Sequence, residues 1–247
     1  NRNWNLNLAG HWTIGAGFFE QYKADEDFAD YGLTPISIGQ ETINTTDLIR
    51  RRWLDNDYYG GTYGLNYNSD DNRFRATLGG GYHIYQGAHF GEIIWARFAS
   101  QSEIRDRYYD NDAEKIDFNI FTKFNYALTD RWDAYLDLQL RAVDYTFLGI
   151  DNNGNNVDQS ADLQFFNPKL GVQYRTDNNQ RAYASFAVAQ REPNRNDFVG
   201  STPENRPRAE KLYNLEAGWE KQWTKATVQA NFYYMYYEDQ LVLNGQI

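Results

Sequence analysis

Apolar and polar residues alternate along most of this chain. In 4–14, Trp4, Leu6, Leu8, Gly10, Trp12 and Ile14 fall on one side and Asn5, Asn7, Ala9, His11 and Thr13 on the other. A period of two is what a strand with two different surroundings requires. The pattern returns in 73–85, where Phe74, Ala76, Leu78, Tyr82 and Ile84 oppose Arg73, Arg75, Thr77, His83 and Tyr85. It returns again in 116–128 and in 132–142, where Trp132, Ala134, Leu136, Leu138, Leu140 and Ala142 oppose Asp133, Tyr135, Asp137, Gln139 and Arg141. Weaker copies run through 59–67, 166–175, 182–191, 213–223 and 226–237. The pattern predicts about nine strands, each near the ~9–11 residues with which a tilted strand crosses a bilayer.

The connections alternate in length. Short ones fall at Ser69-Asp70-Asp71-Asn72, Thr129-Asp130-Arg131, Thr176-Asp177-Asn178-Asn179 and Gln222-Trp223-Thr224-Lys225, mostly with the Asp, Asn and Ser chemistry of tight turns. Between them lie polar stretches, read as long loops, at about 16–52, 86–115, 147–163 and 192–211. Long structureless loops are uncommon in compact soluble domains, whereas a membrane barrel has short periplasmic turns and longer outer loops. Aromatic residues flank each short turn: Tyr67 and Phe74, Tyr126 and Trp132, Tyr174 and Tyr183, Trp219 and Trp223. That placement predicts an interfacial girdle at the short-turn end. Alternation alone fits a soluble sandwich equally well; strand length, loop asymmetry and girdle favour the membrane. Gly60-Gly61 and Gly79-Gly80-Gly81 fall inside strands, where glycine marks a bend or a close approach. No helix follows them to make a phosphate-binding loop.

Composition supports this reading. The 247 residues suit one or two soluble domains or a piece of a larger barrel. No apolar run approaches the ~20 residues of a membrane helix. A mean hydropathy of −0.79 does not exclude a barrel, in which only every second residue must be apolar. Aromatics reach 17%, with 20 Tyr, 15 Phe and 7 Trp, as interfacial girdles demand. A net charge of −10 argues against nucleic acid as a partner. With no cysteine, no disulfide framework and no cysteine metal site is available. The chain opens on Asn1 without a charged and then apolar leader, so a secretory signal is expected upstream, and both ends read as cut.

No catalytic, metal or cofactor signature stands out. His11, His83 and His89 have no metal-ligand spacing, and alternation puts His11 and His83 on the polar face as lining. The acids Asp55, Asp57, Asp70 and Asp71 read as solvated, because a glycosidase needs a set separation that sequence cannot supply. No Gly-x-Ser-x-Gly occurs. Asp25-Glu26-Asp27 lacks the oxygen-ligand pattern of a calcium loop. Ligand is expected at the outer loops, since binding concentrates on loops carried by a rigid scaffold. One such loop holds Trp95, Arg97, Arg105, Arg107, Tyr108 and Tyr109; another holds, in it or at its edge, Arg191, Asn194, Arg195 and Phe198. Arginine suits acidic chelates and carboxylates, and aromatics suit rings or sugars. Salt bridging between loops competes with that role for each residue.

Three stretches carry a family resemblance. Tyr183-Ala-Ser-Phe-Ala-Val-Ala-Gln-Arg-Glu-Pro-Asn-Arg195, Arg206-Pro-Arg-Ala-Glu-Lys-Leu-Tyr-Asn-Leu-Glu-Ala-Gly-Trp219 and Ala230-Asn-Phe-Tyr-Tyr-Met-Tyr-Tyr-Glu-Asp-Gln-Leu241 resemble late barrel strands of TonB-dependent outer-membrane receptors. Arg51-Arg-Trp-Leu-Asp-Asn-Asp-Tyr-Tyr-Gly-Gly61 and His89-Phe-Gly-Glu-Ile-Ile-Trp-Ala-Arg97 look like receptors of Bacteroides-type bacteria. The resemblance implies an all-β fold: an antiparallel transmembrane segment of a barrel of about 22 strands closed by a plug. It implies residues 1–247 as a partial barrel domain, without plug or signal peptide. Its implied partners are outer-membrane lipid, the plug of the same polypeptide, the TonB complex acting through N-terminal parts not in this sequence, and a scarce nutrient. That nutrient is open among siderophore-iron, cobalamin, a metal and an oligosaccharide. A plugless porin-like channel and a soluble carbohydrate-binding β-domain are the alternatives.

Overall fold

The computed structural model describes residues 3–151, 153–199, 201, 205–240 and 242. The first two residues, the closing Asn-Gly-Gln-Ile and Leu241 lie outside the described residues. Nine long strands form one antiparallel sheet: β1 (Trp4–Asp27), β4 (Thr45–Asn68), β5 (Phe74–Ala96), β6 (Arg107–Ala127), β7 (Trp132–Ile150), β8 (Gln159–Thr176), β9 (Gln180–Arg191), β10 (Glu210–Gln222) and β11 (Thr227–Glu238). Each pairs with its sequence neighbour among these nine, as in a meander. The first long connection adds a 3₁₀ turn (Phe28–Tyr31) and a small hairpin, β2 (Ile36–Ile38) and β3 (Glu41–Ile43). A short helix, α1 (Arg195–Val199), lies between β9 and β10.

All nine expected strands are present, but β1 and β4 to β8 are much longer than expected. β1 and β4 have 24 residues each and β5 has 23. The stretches 16–52, 86–115 and 147–163 are therefore mostly ladder, and the connections are about 28–44, 97–106 and 151–158. The register explains the misreading. On the apolar face, Trp132, Ala134, Leu136, Leu138, Leu140 and Ala142 of β7 continue across the sheet as Tyr174, Val172, Leu170, Pro168 and Phe166 of β8. After ten residues this face turns polar, with Asp57, Gln86, Glu114, Asp144 and Asp162 in adjoining register. Beyond that level apolar and polar residues mix on both faces, so alternation disappears while hydrogen bonding continues. Ten residues rising ~3.4 Å each at a ~45° tilt give an apolar band about 24 Å tall, the height of the lipid-facing band of a transmembrane barrel.

The girdle forms at the short-turn end of that band. Trp4 packs at a tilt on Tyr67 with ring centroids 4.7 Å apart, Tyr67 meets Phe74 at 6.1 Å, Phe74 meets Tyr126 at 6.1 Å, and Trp132 meets Tyr174 at 4.7 Å. Trp219 continues the row, opposite Ala182 on the same face as Tyr174. Tyr183 is a correction. It sits opposite Gln173 on the polar face, and its hydroxyl donates to Glu216 at 2.5 Å. The turns close with the expected side chains. The Ser69 hydroxyl donates to Asp71 at 2.6 Å, and Asp71 also accepts from the Arg73 backbone at 3.0 Å. These bonds hold the exposed Asp71 carboxyl below its ordinary range.

The strand glycines mark close approach. A Cβ on Gly60 would lie 2.2 Å from the Tyr82 carbonyl oxygen and 2.8 Å from His83 Cα. One on Gly80 would lie 2.3 Å from the Asn119 carbonyl oxygen. The apolar face has no covering layer, and the buried residues gather instead at the long-loop end. One cluster joins Phe28, Tyr31, Leu33, Leu48 and Ile93; the other joins Ala113, Phe147, Val157, Ala161 and Phe198.

Candidate functional site

Both clusters are made where a connection folds back onto the ends of the strands. In the first, Asp27 Oδ1 accepts the Ala29 N–H at 2.9 Å and opens the 3₁₀ turn. The turn delivers Tyr31, whose hydroxyl donates to Glu26 at 2.5 Å and accepts from Arg50 Nη1 at 2.8 Å. Burial and then the Glu26 hydrogen bond push the Tyr31 phenol well above its ordinary range. The acids Asp25, Glu26 and Asp27 are thus occupied structurally: Glu26 also pairs with Lys23 at 3.2 Å, and Asp25 takes its place beside a β-bulge with a left-handed φ of 56°. Tyr108 packs on Tyr31 at 4.7 Å and edge-on to Tyr109 at 5.0 Å. A recess of about 250 Å³ opens there, lined by Tyr31, Leu33, Ile93, Gln101, Asp106 and Tyr108 among others.

The second cluster is built by the β9–β10 connection. Glu192 forms ion pairs with Lys115 and, at 3.2 Å, with Arg141, while Arg141 Nε donates to both oxygens of Asp117 at 3.0 and 3.1 Å. Pro193 is fully buried. Asn194 Oδ1 accepts from the Asn196 and Asp197 backbones at 2.9 and 3.2 Å, which starts α1. Arg195 Nη2 then donates to Asn111 at 2.9 Å, and Phe198, 2% exposed, inserts against Phe147. The connection therefore lies across the polar face from β9 to β6.

The ten residues expected in loops do not form one site. Trp95 is in β5, opposite Ile49 on the face that carries the apolar band lower down. Arg107, Tyr108 and Tyr109 begin β6; Arg107 lies over the Phe90 ring at 3.7 Å and pairs with Asp110 at 2.6 Å. Tyr109 is buried and accepts from Arg52 at 3.4 Å. Arg97 and Arg105 are in the β5–β6 connection, Arg97 3.5 Å from Asp47 and Arg105 at a left-handed φ of 73°. Arg191 ends β9, 3.2 Å from Glu210. Arg107, Tyr108 and Tyr109 gather at the start of β6, and Asn194, Arg195 and Phe198 share the inward connection. Sequence reasoning missed Asn111 and Phe147, which meet Arg195 and Phe198, and Lys115 and Arg141, which pair with the adjoining Glu192. Alternation places Asp117 and Arg141 on the polar face, yet nothing local signals a contact with Glu192.

His11 Nε2 and His83 Nδ1 meet at 2.9 Å across β4, with Tyr58 against His11 at 4.7 Å. Spacing in sequence gave no sign of this pair, because β1 and β5 come together only through β4. Among the described residues, no group of three or more His, Cys, Asp or Glu is placed to hold a metal ion.

Solved structures share this fold. The copper transporter OprC aligns with a TM-score of 0.68 at 12% identity, covering 94% of this chain and 35% of that one. The ferric citrate transporter FecA aligns at 0.63 and 12% identity, covering 95% and 32%. The siderophore receptor PiuA from Acinetobacter baumannii aligns at 0.61 and 10% identity, covering 94% and 38%. The chain spans about a third of the length of these structures. No curated protein matches the sequence closely enough to add to this. The profile described as "TonB dependent receptor-like, beta-barrel" matches residues 1–247. The girdle, the 10-residue apolar band and the antiparallel meander suit a barrel of the bacterial outer membrane, and the chain belongs to the TonB-dependent receptor-like β-barrel family.

Proposed function

We propose that this chain is part of a receptor that captures a scarce nutrient at the cell surface and admits it across the outer membrane with TonB-derived energy, without chemical conversion. The observation that carries the reading is the β9–β10 connection lying on the polar face, fixed there by Glu192, Arg195 and Phe198. A receptor needs polar and aromatic groups gathered where cargo arrives, and this connection gathers them. The neighbouring structures named for copper, ferric citrate and siderophore support the nutrient-import class. In the complete receptor the partners are a plug within the same polypeptide, the TonB complex and outer-membrane lipid.

Uptake of labelled ferric siderophores, cobalamin, copper and oligosaccharides by cells with and without the gene tests this. The expected result is loss of one uptake, equally abolished by a protonophore. Uptake that the gene supports and a protonophore leaves untouched would instead make the protein a passive channel.

A further inference from the structure

The β9–β10 connection and the polar wall beneath it each hold a buried nitrogen that lacks a hydrogen-bond partner among the described residues: Arg195 Nε and His89 Nε2. Arg195 uses its Nη2 on Asn111 Oδ1 and forms no ion pair among the described residues. The acids nearest it in sequence are already engaged: Glu192 by Lys115 and Arg141, Asp197 by the Asn194 N–H at 2.7 Å. His89 lies opposite Asn111 in the β5–β6 ladder. Asn111 is itself buried and anchored, its Nδ2 donating to the Ile150 carbonyl at 3.1 Å. Phe147 lies 5.8 Å from the guanidinium, and Tyr145 packs on Phe147 at 4.4 Å.

Buried polar groups are almost always paired, so two orphans on residues that both adjoin Asn111 call for a ligand. A guanidinium offers five N–H donors in a planar fork that fits two oxygens of one acidic group. With its hydrogen on Nε2, a neutral imidazole supplies a further donor. Water would satisfy either nitrogen but leave the cation uncompensated, and a metal ion would meet a positive charge. We propose that Arg195 and His89, with Asn111 positioning the guanidinium, form a binding site for a compact oxyanion, a carboxylate or phosphate group, held between the β9–β10 connection and the β5–β6 wall. Because one contact comes from the connection and the other from the wall, binding holds the connection down. That the oxyanion belongs to the cargo rests on the import reading above; the site itself does not.

Hydrogen exchange of 192–199 in the complete receptor, purified in detergent, tests the site. Exchange is compared in inorganic phosphate, in acetate and in chloride at equal ionic strength. Protection by a bound ligand follows 1 + [L]/Kd, so exchange in at least one oxyanion slows about 10-fold at ten times Kd. The oxyanion that protects distinguishes phosphate from carboxylate. Arg195→Gln abolishes the effect, and Arg195→Lys, which keeps the charge without the fork, loses most of it. Equal exchange in all three salts for the unaltered receptor overturns the proposal, as does an undiminished response in Arg195→Gln. The measurement involves no transport, so its failure leaves the import reading standing.

Discussion

Arg141 in β7 reaches Glu192 at 3.2 Å, 51 residues later in the chain. Its Nε holds Asp117 on the neighbouring strand, so one guanidinium joins the barrel wall to the inward connection. Removing it leaves two carboxylates facing Lys115 alone. Arg141→Met is expected to weaken the docking of the connection by about 1–3 kcal/mol. Trypsin then cuts folded receptor at Arg195 roughly 10-fold faster or more, since ~1.4 kcal/mol is a factor of ten. An unchanged rate would show that the network does not hold the connection.

The two faces of the sheet predict opposite responses at adjacent positions. Leu136 lies near the middle of the apolar band and Asp137 on the polar face. Leu136→Arg is expected to cost about 2–4 kcal/mol on refolding into lipid vesicles, the price of a cation near the bilayer midplane. Asp137→Asn is expected to change stability by less than about 0.5 kcal/mol. Denaturant titration of the complete barrel in vesicles measures both.

Glycine positions separate in the same way. A Cβ at Gly60 collides with backbone of β5, which cannot step aside, while a Cβ at Gly64 meets nothing within 4 Å. Gly60→Ala is expected to destabilise the barrel by about 3 kcal/mol or more, and Gly64→Ala to be nearly silent. The fraction of receptor that resists unfolding in cold detergent gel electrophoresis reports the difference.

Tyr31 links Glu26 to Arg50 through a phenol held protonated above its usual range. A raised folded-state value means that the stabilisation is complete below the unfolded phenol value of about 10 and is lost as pH climbs past it. Nicking of 28–44 by subtilisin is expected to accelerate above pH ~10 in the unaltered receptor. In Tyr31→Phe it is expected to be fast already at pH ~8 and to gain little more on raising the pH. Equal nicking of the two proteins at both pH values would contradict the role given to this hydroxyl.

The part of the fold legible in sequence is the part immersed in lipid. Between Trp132 and Ala142 two environments act on alternate residues, and the pattern records them. Above Asp57, Glu114 and Asp144 the two faces no longer have distinct surroundings, and ladders that continue for up to twelve residues more leave no regular alternation. Trp95 and Tyr109 were therefore read as loop residues. Tyr183 was assigned to the girdle by its distance from a turn, although parity with Tyr174 puts it on the opposite face. Among the site residues, Arg195 and Phe198 stood out as arginine and aromatic in a polar stretch. Their partners Asn111 and Phe147 are set by the register of β6 and β7, which no local pattern encodes.

The central claim is that alternate residues of this sheet face lipid in an outer-membrane barrel. The chain has no cysteine, so single cysteines placed at each position from 132 to 142 in the complete receptor can be labelled without background. The measurement is competition in intact outer membranes between a water-soluble and a membrane-confined maleimide. The account predicts a strict period of two, with 134, 136, 138, 140 and 142 labelled from lipid and 133, 135, 137, 139 and 141 protected from it. Labelling by the water-soluble reagent alone at every position, without alternation, would contradict it.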